Sequence, residues 1–413
     1  MKKEEFFAEA IPGSTGPLQG VRVLEVTTSL AGPIVGTLLA DLGAEVIKCE
    51  LPKVGEVIRY CPPFLSSEAF MERSTPHLSV NRNKKNITLA YNKSEGAAIF
   101  KELAAKADVI VENYKPGATD KWGIGYKDIR NIKPDIVYTS ITGYGQFGLY
   151  HKKPGYDPIA QAMSGLMHIT GQPDGPPTTT GNYMADNLTG WQGAFATVAA
   201  LFYREKSGKG QHIDVCLLDS LLYTTEMGIM AASHLNFFWE RLGSGAHPIG
   251  TRVLYRCKDG YVCSLVAIQT HWERLCKLIG REDLITDPRT RTLIDRVTNF
   301  QLCADTIQQW TMGKTVEEVV RLFDEAELVA ARIYDFRQII EDPHIQERDM
   351  VTEVTHPIHG KLKLYGVAAK HSLTPGKVRM HAPMLGEHNN EIYQELLGYG
   401  EDKLIALRER GIV

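Results

Sequence analysis

Residues 20–50 read GVRVLEVTTSLAGPIVGTLLADLGAEVIKCE. Val21 to Val26 is a short β-branched run, the composition of a strand. Gly32-Pro33 opens a helix, where proline is tolerated because an N–H in the first turn has no partner to lose. Leu38, Leu39 and Leu42 supply its apolar stripe, and Gly43 ends it. Glu45 to Cys49 is the next strand. Strand, helix and strand in so short a span predict a βαβ unit and therefore a parallel sheet.

Outward from this unit the pattern continues. Ser94 is expected to cap a helix running to about Ala107. Residues 107–114 read as a strand, 125–134 as a short helix and 135–145 as a strand ending in glycines. A glycine- and proline-rich stretch from Gly143 to Pro177 holds the helical AQAMSGLM. Leu188, Trp191, Phe195, Val198 and Phe202 then recur at three- and four-residue spacing, predicting a helix to about Tyr203. The character changes near Tyr223. VLYRCKDGYVCSLV predicts a hairpin turning at Asp259-Gly260, and Thr315 with Glu318 forms a capping box ahead of Val319, Leu322 and Phe323. Residues 351–413 return to strand, loop and two short helices. The expected organisation is a large α/β domain over 1–222, a smaller α+β domain over 223–334, and a return to the large domain over 335–413.

The composition sets limits on function. The 413 residues carry 46 basic and 49 acidic side chains, a formal net charge of -3, which supplies no drive toward nucleic acid or an anionic membrane. No run approaches the ~18 consecutive apolar residues of a membrane span, and the first residues lack a signal-peptide core. With seven dispersed cysteines and no CxxC pair, the expectation is a reduced, cytoplasmic protein with buried thiols.

Several chemistries lack their motifs. The loop TTSLAGPIVG has no GxGxxG, so a nicotinamide dinucleotide is not expected despite Glu50 ending the second strand. There is no P-loop and no GxSxG elbow. His356 and His359 in HPIH have no accompanying ligand set, so the reading is a solvated loop and no metal. One acid stands out. In GNYMADNLTGWQGAFATVAAL, Asp186 sits where a polar run meets the apolar helix. By spacing alone it is a helix cap or a catalytic carboxylate, and both remain open.

Nine motifs occur in one order: PLQGVRVLEVTTSLAGP, GAEVIKCE followed by Gly55 and Arg59, NRNKKNITL, ADVIVENYKPGATDKWGIGY, ITGYGQFG, GYDPIAQAMSGLM, YMADNLTGWQGAFATVAAL, GKGQHIDVCLLDS, and APMLGEHNNEI with the closing LGY and GIV. From about residue 17 to 413 the chain resembles the class III coenzyme A transferases, the family of formyl-CoA transferase and crotonobetainyl-CoA:carnitine CoA-transferase. The resemblance implies a Rossmann-like large domain whose parallel sheet is built from both chain ends, a small domain between, and two subunits interlocked like chain links. It implies Asp186 as nucleophile, with no tightly bound cofactor and a CoA thioester and a small carboxylic acid as substrates. A homodimer is expected, with a heteromer containing a paralogous subunit as the variant.

By the same resemblance, Asn83, Lys84, Asn113, Tyr114, Lys121 and, secondarily, Arg59 fall where the family contacts the nucleotide. Lys121 replaces an arginine often found there and loses its bidentate fork. Tyr156 and Asp157 are expected near the acyl group, and the glycines from Gly143 through Gly145 to Gly148 are a candidate close-approach lining. Leu30 stands where formyl-CoA transferases have glutamine, and HLNFFWERLGSGAHPIGTRVLY replaces their run of glycines. Both departures point away from formate and oxalate toward a bulkier acid. The rival readings are an acyl-CoA racemase, whose catalytic histidine is replaced here by Tyr156, and a non-catalytic CoA-binding subunit.

Overall fold

The computed structural model describes residues 1–68, 70–225, 227–246 and 251–413. They fall into two compact units, one of Met1–Ser164, Gly181–Thr225 and Asp342–Val413, the other of Gly165–Thr180 and Glu226–Glu341. The segment 165–180 therefore belongs with the second unit rather than the large one, and the last crossing lies at 341/342 rather than 334/335.

The first unit is organised on six strands: β1 (Arg22–Val26), β2 (Glu45–Glu50), β3 (Lys84–Thr88), β4 (Val109–Glu112), β5 (Val137–Thr142) and β6 (His212–Cys216). Their order across the sheet is β3-β2-β1-β4-β5-β6 and every pairing is parallel. β4 and β5 are buried along their whole lengths, as a parallel sheet covered on both faces requires. The order reverses between β1 and β4, which run outward to opposite edges. In open α/β sheets such a switch point leaves a crevice at the carboxyl ends of the strands.

Helix α1 (Ala31–Asp41) is the crossover from β1 to β2. Helix α2 (Ser94–Ala104) starts at Ser94 with Lys93 in the N-cap position, and no side chain caps it. Ser94 is thus the first helical residue, not the cap. The predicted AQAMSGLM helix is split: α3 (Asp157–Met163) ends before Gly165, whose φ of +87° breaks it from Leu166–Ile169. Helix α4 (Met184–Ser207) is longer than its apolar spacing indicated. It packs on α1 through two glycines. A Cβ on Gly190 would collide with Ile34, and one on Gly193 would stand 2.8 Å from Val35 Cγ2.

All six strands come from residues 22–216, and the C-terminal end adds core side chains. Ile392, Tyr393, Leu404, Leu407 and Ile412 join Leu24, Ile47, Ile87, Phe100 and Ile110 in one apolar cluster. Residues 386–389 also cover the outer edge of β3. Thr88 N donates to Asn389 Oδ1 (2.8 Å), Asn86 N to His388 Nδ1 (3.2 Å), and His388 N to Asn86 O (2.9 Å). In the HPIH turn Pro357 and Ile358 are exposed, as a solvated loop requires, but the first histidine is not. His356 is buried, its Nδ1 accepting from Ile358 N and His359 N.

The second unit holds the predicted hairpin, Leu254–Arg256 with Tyr261–Ser264, extended by Ala330–Arg332 into a three-stranded antiparallel sheet. Thr315 caps Val316–Glu325 through its capping box with Glu318, and Trp272, Leu275, Ile307, Val319 and Phe323 form the core. Residues 247–250 of the stretch read for substrate size lie outside the described residues. No described helix is long and apolar enough to cross a membrane.

Candidate functional site

At the switch point, the loops after β1, β4 and β5 enclose a cavity of about 170 Å3, with Asp186 in its wall. The local sequence explains each wall. After β1, Thr28 is held by both ends of one amide: its N–H donates to Asn113 Oδ1 (2.8 Å) and its carbonyl accepts from Asn113 Nδ2 (2.7 Å). Ser29 then turns through φ +66°, a left-handed conformation uncommon for serine, before α1 begins. Gly32 is required at that start, since a Cβ there would lie 2.8 Å from Asn113 Cγ and Thr27 Cβ.

Beneath this loop lies a buried ionic set. Lys48 Nζ binds Glu25 Oε1 (2.8 Å), Thr27 O (3.1 Å) and Thr27 Oγ1 (3.2 Å). Lys84 Nζ binds Glu25 Oε2 (2.9 Å), Asn81 Oδ1 (2.9 Å) and Pro33 O (2.8 Å). One lysine thus grips the end of β1 and the other the first turn of α1, with Glu25 between them. Burial works against the Glu25 carboxylate, but Lys48 and Lys84 outweigh it and hold its pKa below the usual value. Burial brings Lys84 down to about 8 against the pull of Glu25.

After β5, Gly143 and Gly155 fold onto each other. A Cβ on either would stand 2.7 Å from the other's Cα. This close approach returns the chain to the cavity at Tyr156. Asp157 is buried and turned away from it: its Oδ1 accepts from Ala185 N (2.6 Å) and Asp186 N (3.2 Å), and its Oδ2 from Gln161 Nε2 (2.6 Å). Asp157 therefore satisfies donors at the start of α4, where the N-cap residue, Tyr183, makes no side-chain cap bond. Asp186 is the third residue of α4 and not its cap. Its carboxylate accepts no hydrogen bond among the described residues. Burial first and the Asp157 charge second push its pKa up to about 7.

Of the residues singled out in the sequence, Leu30, Asn113, Tyr114, Gly143, Tyr156 and Asp186 line one cavity. Tyr156 is 69% exposed, so its ring is not a core tyrosine. Asn113 is engaged in clamping Thr28, and the Tyr114 hydroxyl meets that of Tyr91. Gly145 is not in the wall; its N–H donates to Thr142 Oγ1 (2.8 Å). Lys121 is exposed on Ala118–Lys121, outside the wall.

The remaining three expected nucleotide contacts are turned inward. Lys84 is buried as described. Arg59 is buried on Glu50, with Nε and Nη2 each 2.8 Å from a carboxylate oxygen. Asn83 is buried, donating to Asp41 and Lys377 O and accepting from Arg379 N and Met380 N. Side chains so committed do not reach a phosphate without breaking buried partners, a costly exchange. Sequence reasoning missed Ser29, Lys115, His151 and Lys153, all in the cavity wall. The basic run His151-Lys152-Lys153 just ahead of GYDP was the available signal for two of them.

A family model described as "CoA-transferase family III" matches residues 18–389. The chain is 35% identical over 399 residues to the succinyl-CoA–D-citramalate CoA-transferase of Chloroflexus aurantiacus, covering 96% of this chain and 98% of that one. It is 38% identical over 403 residues to the succinyl-CoA:glutarate CoA-transferase of Mus musculus, covering 97% and 91%. A crystal structure of a CaiB/BaiF family protein from Brucella suis superposes with a TM-score of 0.80 at 32% identity, covering 92% of this chain and all of that one.

Proposed function

The chain belongs to CoA-transferase family III, and from that premise we propose that it moves CoA from succinyl-CoA to a second dicarboxylic acid, with Asp186 as the covalent nucleophile. The observation that carries this is the Asp186 carboxylate: half-buried, without a hydrogen-bond donor among the described residues, in a cavity at the sheet's switch point. The substrate class is drawn from the names of the citramalate and glutarate relatives.

A free carboxylate is a poor acceptor for a thiolate, and an enzyme carboxylate divides the exchange into easier steps. Asp186 attacks the thioester carbonyl of the donor and expels CoA thiolate, forming an aspartyl–acyl anhydride. The thiolate attacks the Asp186 carbonyl of the anhydride, releasing the donor acid and leaving an aspartyl-CoA thioester. The acceptor carboxylate attacks that thioester, and the expelled thiolate then attacks the acceptor carbonyl of the new anhydride, restoring Asp186. Each step exchanges one acyl bond for another and leaves no net proton. Every intermediate is hydrolysable, so a small half-buried site is favourable. Desolvation also leaves the carboxylate less stabilised and hence more nucleophilic.

The same reading includes a dimer. Along α4, Trp191 and Phe195 are 47% and 77% exposed and, with Ile34 and Leu38, line an apolar groove of about 430 Å3. Such a groove is suited to cover by a second subunit.

Trapping tests the chemistry. Incubation with succinyl-CoA and hydroxylamine is expected to leave a hydroxamate on Asp186, read by peptide mass spectrometry. A modification at another residue, or none with any thioester, overturns the assignment.

A further inference from the structure

The cavity wall holds one acid and three basic side chains: Asp186 against Lys115, His151 and Lys153. The transfer mechanism uses the acid and leaves the bases without a role. Neither Lys115 nor Lys153 has an ion-pair partner among the described residues. Neither pairs with the Asp186 carboxyl, whose pKa is raised by burial and by Asp157. The lysines therefore share a small cavity with the nucleophile without pairing with it. A cation paired to Asp186 would quench its attack, whereas one without a carboxylate partner can take a second negative charge on the substrate.

The nature of that second charge follows from scale. In an acyl-CoA the pantetheine arm separates the reacting carbonyl from the phosphates by many bonds, whereas Lys153 lines the same pocket as Asp186. A charge held beside the reacting carbonyl is then one carried by the acyl group itself. A four- or five-carbon dicarboxylate carries one there, and a monocarboxylate does not.

Lys153 is the better placed of the two lysines. It lies in the loop that the Gly143–Gly155 approach folds back over the cavity, three residues before Tyr156. Its ammonium sits 4.0 Å from the centroid of the Tyr150 ring, and its N–H donates to Tyr150 O at 2.8 Å. The backbone bond fixes the turn, and the ring contact holds the exposed lysine side chain that it carries. In the same loop the His151 ring meets Gly148 O through Nδ1 at 2.7 Å. Lys115 belongs to the loop after β4, beside Tyr114.

We infer that Lys153 binds the distal carboxylate of a dicarboxylic substrate and sets the preference for diacids over monoacids of the same chain length. This rests on the reading of the Asp186 cavity as the acyl-transfer site.

The experiment compares two acid pairs in the full-length protein: succinyl-CoA with glutarate, and butyryl-CoA with valerate. The wild type is expected to favour the diacid pair. Lys153→Met is expected to raise KM for glutarate ~10- to 100-fold, the size of one charge-assisted contact, and to leave the valerate exchange unchanged. Lys153→Arg is expected to retain the diacid preference, and Lys115→Met to leave it intact. Equal effects of Lys153→Met on both pairs, no effect on either, or a diacid-selective loss in Lys115→Met instead would overturn the inference while wild-type transfer still stands. Absence of wild-type transfer with any pair, or full activity in Asp186→Asn, would overturn the underlying reading as well.

Discussion

Asp186 carries two consequences that its geometry makes measurable. The proposed mechanism needs the carboxylate, and burial holds its pKa at about 7. The acid limb of kcat/KM is therefore expected near pH 7, falling about tenfold per pH unit below it. Asp186→Asn is expected to lower kcat by more than ~10^3-fold with the fold intact. The second consequence concerns stability. The folded chain keeps a proton on Asp186 between the ordinary carboxylate range and about pH 7, and the unfolded chain does not. Stability therefore falls as pH rises through that window. Asp186→Asn removes the effect, so its thermal stability should match the wild type near pH 4 and exceed it above pH 7. After discounting for partial exposure the difference is about 2 kcal/mol. Melting curves at the two pH values decide it.

At the level of elements, the approach of α4 to α1 sets the site. Gly190 and Gly193 allow the two helices to touch, which brings the first turn of α4 to the loop before α1. Gly190→Val should cost ~1–3 kcal/mol, since the site is already filled, and lower kcat more than a distant substitution of equal cost. The buried lysines form a second hinge of the design. Lys84→Met leaves Asn81 Oδ1 and Glu25 Oε2 without a partner and Pro33 O with Thr37 Oγ1 alone among side chains, and is expected to cost ~3–5 kcal/mol in urea unfolding. These two features were not equally legible. The β1–α1–β2 unit, the capping box at Thr315 and the Asp259-Gly260 hairpin rest on local spacing, and the structure has each. Asp157 as the partner of the α4 N-terminus depends on a contact across 28 residues, for which the sequence carries no local mark. Lys84 and Arg59 are placed at the nucleotide by the family resemblance, and nothing in their local sequence marks them as buried, since charged side chains are ordinarily at the surface. Their carboxylate partners come from other segments, and only the fold brings them together.

The molecule as a whole leaves apolar surface along α4. If Trp191 and Phe195 lie in a subunit interface, Phe195→Asp should convert a dimer in sedimentation-velocity experiments to a monomer, by placing a charge in a desolvated contact. The cavity residues are in the same compact unit as Asp186, so Asp186 trapping in the monomer measures how much of the chemistry one subunit supports.

The cover over the outer edge of β3 has a bearing on how the chain is made. Asn86 and its partner His388 are separated by 302 positions. At ~5–20 residues per second of synthesis, β3 leaves the ribosome about 15–60 s before the segment that closes it. For that interval the nascent sheet offers an open strand edge to any other nascent chain. Chains stopped at residue 377 contain all six strands yet lack the cover, and pelleting assays are expected to find them aggregated. Soluble yield would then depend on what shields that edge during translation rather than on the stability of the finished fold.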